Sequence, residues 1–324
     1  IGNPPYVQIR KVGYRFVEGT YQSMPGKNLY SLVLERCLKI IKDKAFFGMI
    51  VPVSICSGEK FEFIIKKLFS KNSWISSFSN RPGKLFDGVE QRLSVFVAKN
   101  ESGICHSSAY QHWYSEERSS LFQKLFFGFA PTVGIFPLKT GSAFAANILS
   151  KLFSAPNKLF ALRGNSNSIW FHDAPTYWVR SLPFCPEENM NKNSSHYHEI
   201  AVNSQENAKL VTLLLASSAF YISYKVLSNC RDFGINNIQS FCYPSGITNV
   251  DALLRQYEKV LTATAKDCGR QYDSGYVTYK EYYPAKCKHI IDLFDTSLAK
   301  GYGYNEAELD WIINYDIKYR LGED

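Results

Sequence analysis

Between Asn28 and Ile41 the apolar residues Tyr30, Val33, Leu34, Cys37, Leu38 and Ile41 stand three or four positions apart. That spacing lines one face of a helix, and Asn28 is a residue type suited to cap its start. The unbroken run Phe46 to Val51, stopped by Pro52, predicts a short buried strand. From Ser57 a second helical period sets Phe61, Ile64, Ile65 and Leu68 on one side. Trp74 to Phe78 and Arg92 to Ala98 are rich in β-branched and aromatic residues and predict two further strands. Val7 to Lys27 is polar, contains glycine and has no period, so it reads as a loop. The order loop, helix, strand, helix, strand, loop, strand is that of the second half of a doubly wound α/β domain.

The texture changes around residues 101–108, and we place a boundary there, giving segments 1–104, 105–250 and 251–324. The middle segment interleaves aromatic, amide and basic residues, as in Tyr110-Gln111-His112-Trp113-Tyr114, Ile169-Trp170-Phe171 and Tyr177-Trp178-Val179-Arg180. Such clusters on loops suit contact with base edges and phosphates, and suit an irregular β-rich core equally well. Gly164 to Ser168 reads as a turn, Lys209 to Tyr224 as a helix, and 228–244 as a glycine turn closed by Pro244. Residues 250–268, Ile290 to Leu298 and Glu306 to Tyr319 show helical periods, the last two joined by a turn at Gly301 to Tyr304. The expected fold is therefore α/β, followed by a mixed α+β segment and C-terminal helices.

At 324 residues and 45% hydrophobic content the chain is long enough for two cores. No run of eighteen apolar residues occurs, and Pro4 and Pro5 stand where a signal peptide would carry its basic and apolar regions. The eight cysteines are scattered without a C-x-x-C pair, which reads as reduced thiols in the cytoplasm. The net charge of +8 is uneven. Residues 1–104 hold 16 basic and 8 acidic side chains (+8), residues 105–250 hold 11 and 8 (+3), and residues 251–324 hold 10 and 13 (−3). A basic front and an acidic tail fit a surface that faces nucleic acid.

Asn3-Pro4-Pro5-Tyr6 carries the chemistry. It matches the [Asn/Asp/Ser]-Pro-Pro-[Tyr/Phe/Trp] loop of amino-methyltransferases, and chance gives this tetrapeptide in roughly one such chain per thousand. A side-chain carbonyl (Asn3) and a backbone carbonyl (Pro4) can each accept one N–H of an exocyclic amine. This draws the nitrogen toward tetrahedral geometry and aims its lone pair at the incoming methyl group. The prolines stiffen the loop and remove competing donors. Tyr6 offers a flat face to a base taken out of the stack. The motif alone permits an adenine amine, a cytosine amine or a glutamine amide. His196-Tyr197-His198 with Cys185 lacks the paired spacing of a zinc site, and no metal is expected.

With its flanks, the first hundred residues resemble gamma-type N6-adenine DNA methyltransferases, most of all the large enzymes of type IIG restriction–modification systems. The pieces that match are Gly2-Asn3-Pro4-Pro5-Tyr6-Val7, Asn28-Leu29-Tyr30, the strand at 47–52, Leu85-Phe86-Asp87-Gly88-Val89 and the strand at 93–97. The resemblance implies a Rossmann-like methyltransferase domain followed by a target-recognition domain and terminal helices. It also implies double-stranded DNA as partner, adenine as target and S-adenosylmethionine as methyl donor. Asn3, Pro4 and Tyr6 are the implied catalytic and base-binding residues, and Phe86 the implied contact to the edge of the base. Arg10, Lys11, Arg15, Lys84 and Arg92 are candidate contacts to the DNA backbone.

One departure from the family is large. Its glycine-rich turn for the donor and the acidic residue for the donor's ribose precede the Asn-Pro-Pro-Tyr loop, and here only Ile1 and Gly2 do. The expectation is a chain that holds the target base side, binds S-adenosylmethionine weakly and is inactive alone. Association with the missing N-terminal half, or self-association through an exposed sheet edge, is a further expectation. The rival readings are a DNA-binding specificity module without catalysis and a protein glutamine methyltransferase.

Overall fold

The computed structural model describes residues 1–17, 19–186, 196–231, 233–272 and 275–322. They form two compact units, residues 1–147 with 225–230 and residues 148–224 with 231–324.

In the first unit, α1 (Leu29–Ile40), β1 (Phe46–Pro52), α2 (Glu62–Phe69), β2 (Lys71–Phe78), β3 (Leu93–Ser102), β4 (Cys105–Gln111) and β5 (Gly128–Phe129) follow one another. The five strands make one sheet in the order β1-β3-β2-β4-β5. β3 is antiparallel to both its neighbours, β2 and β4 run parallel, and β5 is antiparallel to β4. Gly2 makes a parallel bridge to Met49 on the outer side of β1. One face of the sheet, with Phe47, Met49, Val51, Phe96, Ala98 and Ile75, packs on Tyr30 and Leu34 of α1 and on Ile64, Ile65 and Leu68 of α2.

Three departures from the sequence reading have local causes. The helix expected from Ser57 begins at Glu62, because two 3-10 turns, Val53–Cys56 and Glu59–Phe61, come first. Asn28 holds the N-cap position of α1, but its amide donates back to the Gly26 carbonyl at 2.8 Å instead of accepting from the helix. A side chain at Gly26 would meet the Phe61 ring at 2.5 Å, so only glycine fits that turn. The sheet also continues past residue 104, and the expected segment boundary falls inside it. Between β3 and β4 the chain wraps the start of β2: the Gly103 N–H donates to the Ser70 carbonyl, and the Ile104 N–H to the Asn72 side chain (both 3.1 Å). A Cβ at Gly103 would lie 1.9 Å from Asn72 Oδ1.

Lys139 is buried in this unit. Its ammonium donates to the carbonyls of Ser228 (2.8 Å), Val226 (3.1 Å) and Lys225 (3.3 Å). These are the last carbonyls of the helix Ser218–Leu227 and the turn after it, groups that a helix end leaves without internal partners.

The second unit is built on a three-stranded antiparallel sheet with Arg163–His172 between Ser181–Leu182 and Tyr197–Val202. The expected turn at Gly164 to Ser168 is part of the central strand, since pairing with Tyr197–Val202 overrides the turn-forming residues. Helices Gln205–Ala216, Val250–Thr264 and Lys288–Tyr302 share one apolar core with the sheet, so residues from both sides of position 250 build it. The helix expected over 250–268 ends at Thr264, and Lys266–Tyr272 pairs with Gly275–Glu281 in a hairpin. The helix expected over Lys209 to Tyr224 is broken at Ser217, whose hydroxyl donates to the Leu214 carbonyl and accepts from the Phe220 N–H. The next helix, Ser218–Leu227, starts against the buried Asp295 carboxylate, which accepts the Ser218 N–H at 3.0 Å. Among the described residues no single helix is long and apolar enough to cross a membrane, and the bent pair that passes by composition, Gln205–Ala216 with Ser218–Leu227, is largely buried.

Candidate active site

The Asn-Pro-Pro-Tyr loop follows Gly2, which lies alongside β1. The Gly2 N–H donates to the Gly48 carbonyl at 3.0 Å and its carbonyl accepts the Ile50 N–H at 3.1 Å, which fixes the loop's start beside the strand. Its far end is fixed by α1: Leu29 N–H donates to the Val7 carbonyl (2.9 Å) and Ile9 N–H to the Lys27 carbonyl (3.0 Å). Residues 10–26 thus form an excursion closed at its base, and Arg10, Lys11 and Arg15 are exposed on it. Arg10 Nε donates to Gln8 Oε1 at 2.8 Å.

Within the loop Asn3 and Pro5 are exposed, Pro4 is buried and Tyr6 is half-buried. The Tyr6 hydroxyl lies 2.6 Å from Asn3 Oδ1 and 2.9 Å from the Ile50 carbonyl oxygen. A phenol has one proton, so it donates to one of these at a time. The Asn3 carbonyl has a second lone pair that this contact leaves open. No hydrogen bond from a described residue reaches the Pro4 carbonyl. The Tyr6 ring meets Tyr30 of α1 edge-on at 6.3 Å, and the Tyr30 hydroxyl is 3.0 Å from Ser54 Oγ. Burial pushes the Tyr6 phenol up to about 12, so it stays neutral and able to donate at physiological pH.

Glu35, in the middle of α1, secures the excursion. Its buried carboxylate accepts the backbone N–H groups of Gln22 (3.2 Å) and Ser23 (2.8 Å) and the Ser23 hydroxyl (2.7 Å), and pairs with Lys39 at 2.8 Å. Burial alone would raise its pKa, but the hydrogen bonds from Lys39, Ser23 and Gln22 outweigh it and hold the carboxyl below the usual range.

The second loop, residues 79–92, joins β2 to β3. Pro52 of β1 pairs with Leu93 and Leu93 with Phe78, so both feet of this loop stand at the end of the sheet to which Tyr6 is tied through Ile50. The Val53 N–H donates to the Arg92 carbonyl at 3.0 Å. Gly83 N–H donates to the Trp113 carbonyl (2.8 Å), and the Arg118 guanidinium donates to the carbonyls of Lys84 (2.9 Å) and Leu85 (2.6 Å). His112 is buried and donates from Nδ1 to the Arg81 carbonyl at 3.1 Å; burial, with Lys225 nearby, lowers its pKa to about 3 and keeps it neutral. Phe86 is half-buried on this pinned loop, and its carbonyl accepts the Val89 N–H. Lys84 pairs with Glu90, and Arg92 is half-buried.

Asn3, Pro4 and Tyr6 thus lie on one loop and Phe86 on another that leaves the same end of the sheet. Open sheets containing parallel strands bind ligands beyond the carboxyl ends of those strands. Glu35, Arg118 and His112 escape sequence reasoning, because their partners are backbone groups at distant positions. Elsewhere, the His196 and His198 rings flank the Asp173 carboxylate at 2.9 and 3.0 Å. Among the described residues no group of His, Cys, Asp and Glu has the arrangement of a metal site.

Residues 1–86 match the family model of the Eco57I restriction-modification methylase. No curated protein matches the chain. Among solved structures, the chain is similar to the ATP-dependent type ISP restriction-modification enzyme LlaBIII bound to DNA, at 10% identity and a TM-score of 0.38, over 86% of this chain and 32% of that one. It is similar to DrdV in its DNA complex at 14% identity and a TM-score of 0.34, over 41% and 17%. The type IIG restriction endonuclease BpuSI gives 10% identity and a TM-score of 0.29, over 94% and 51%. The chain spans about half of the length of BpuSI and less of the other two, and at these scores the likeness adds no argument about the fold.

Proposed function

We propose that this chain belongs to a DNA methyltransferase of a restriction–modification system, one that moves a methyl group from S-adenosylmethionine to N6 of an adenine flipped out of the duplex. The observation that carries this reading is the Asn-Pro-Pro-Tyr loop at the carboxyl end of β1, with an exposed Asn3 amide braced by the Tyr6 hydroxyl. The match of residues 1–86 to a restriction-modification methylase model supports it.

In this mechanism Asn3 Oδ1 accepts one N–H of the exocyclic amine and the Pro4 carbonyl the other. The amine nitrogen is thereby held with its lone pair directed away from both carbonyls. The Tyr6 ring faces the extruded base and Phe86 confines its edge. Arg10, Lys11 and Arg15, exposed on the excursion, serve the duplex backbone, whereas Lys84 is held by Glu90 and Arg92 is half-buried. S-adenosylmethionine supplies an electrophilic methyl when bound. Among the described residues none forms the glycine-rich strand-to-helix turn that would receive it. The turn after β1 has one glycine, Gly58, whose missing Cβ makes room for Phe61 and the Ser54 carbonyl.

The test is expression, in a host without DNA methylation, of the whole enzyme to which this chain belongs, with the modified bases mapped by sequencing. N6-methyladenine at a defined site, reduced by about 100-fold or more in Asn3→Ala, is the expected result, on the scale of losing one preorganised polar contact. Marks on cytosine would refute adenine specificity. Site-specific DNA binding with no mark at all would favour the specificity module.

A further inference from the structure

The α-helices α1 and α2 pack on one face of the sheet of the first unit. The sheet's register places Gly48, Val97, Trp74, His106 and Phe129 side by side in a single row across all five strands. Cross-strand neighbours share a face, and this row lies opposite the face that packs on α1 and α2. Phe46, two residues before Gly48 in β1, is on the same side.

This face is covered at one end and bare at the other. Toward the carboxyl end of β2, Phe78 lies under Trp113, Leu121 and Phe122. Toward the amino end, Phe46 is 62% exposed, Phe129 56%, Val97 44% and Trp74 37%, with Trp74 stacked on His106 at 5.8 Å. Exposed Phe126 and Phe127 lead directly into β5.

Size and charge point to one occupant. With about 200 Å² for a fully exposed large side chain, the bare patch and its flanking phenylalanines offer roughly 600 Å². That is at the upper end for a monomer's largest patch and approaches one partner's share of a stable interface, about 800 Å². The cations beside the row are engaged: Lys99 pairs with Glu101 at 2.9 Å and lies over the Phe46 ring, and Lys71 donates to Asn100 at 2.6 Å. Such a face offers little to a polyanion and no net charge to repel its own copy.

We propose that this bare sheet face is the seat of a second copy of the chain. The two outer edges are less suited: Gly2 bridges β1 at Met49, and β5 is two residues long.

The test is sedimentation of the intact chain from about 1 to 100 µM, the weaker part of the range for an interface of this size. A reversible dimer is expected, with association weakened about 100-fold by Val97→Lys or Phe129→Lys at an unchanged melting temperature, as for a central interface contact. Radical footprinting of the unmodified chain, read at Trp74 and Phe129, should show protection that grows with concentration, and it needs no variant to fold. A monomer throughout, a dimer indifferent to both substitutions with Trp74 unprotected, or a mass that rises only on adding duplex DNA would each overturn the proposal.

Discussion

Glu35 and Asp295 are both buried carboxylates, and their surroundings drive them in opposite directions. Burial raises Asp295 to about 6 in spite of the Ser218 hydrogen bonds and nearby Arg320. Its folded value thus exceeds the unfolded one of about 3.9. The stability it contributes is full below that value and is lost as pH rises through 6. In Asp295→Asn this fall is absent, so the stability of the variant relative to the native chain should rise between pH 4 and 7 in urea titrations. Glu35 behaves in the reverse way. Its lowered pKa contributes stability above about pH 4.3, and that contribution disappears as pH falls through the folded value. Glu35→Gln should cost about 1–3 kcal/mol at pH 7, a gap that closes on acidification. A gap that widens in acid would contradict the hydrogen-bonding account of Glu35. Neither carboxylate announces its role in the sequence, since their partners lie 12 and 77 residues away. Asn3 and Tyr6 were legible because the motif is contiguous. What the motif could not reveal is the bond between them, and Tyr6→Phe tests it. On the proposed function, methyl transfer should fall about tenfold, the worth of one hydrogen bond, while folding is unchanged. Undiminished turnover would reduce Tyr6 to its ring.

At the scale of elements, helix period and apolar runs placed α1, β1 and β3, which bury large apolar residues such as Tyr30, Leu34, Val51 and Phe96. They missed β4, where Ser107 and Ser108 are buried beside Cys105. Small hydroxyl side chains satisfy themselves locally, as Ser107 does on the Leu138 carbonyl at 2.6 Å, and leave no apolar alternation to read. The hairpin Lys266–Tyr272 with Gly275–Glu281 escaped for a related reason: it carries charged and polar side chains and continued a helical period into its first residues. Missing β4 also hid what holds the Phe86 loop. Arg118, beyond β4, is the side chain that grips the carbonyls of Lys84 and Leu85. Arg118→Ala removes two charge-assisted bonds from an exposed site, so global stability should drop by only about 1–2 kcal/mol. The larger effect should be local. Amide exchange within residues 79–92 should accelerate at least tenfold, with α1 and β3 unchanged. Equal acceleration throughout the first unit would show that Arg118 supports the sheet and not the loop.

Across the whole molecule the charge is graded, from +8 in residues 1–104 to −3 in residues 251–324 (16 − 8 and 10 − 13), within a net +8. Nothing in the folding of α1 or β1 calls for a cationic front, and three of its cations, Arg10, Lys11 and Arg15, stand exposed on the excursion that Glu35 ties down. If they neutralise phosphates, duplex binding releases counterions, and log K should fall with log salt at a slope of about −0.9 for each contact. Replacing all three by alanine should therefore flatten that slope by roughly 2.7. The loss should be uniform across DNA sequences, because phosphate contacts carry no sequence information. Lys84 is a built-in control, since its ammonium is already paired with Glu90. Lys84→Ala should change the slope by much less than one contact. Fluorescence anisotropy of a labelled duplex over a series of salt concentrations measures both. A slope unaffected by the triple substitution, or one that changes as much for Lys84 as for Arg10, would move the DNA-facing surface away from this loop and leave the charge gradient without the role assigned to it.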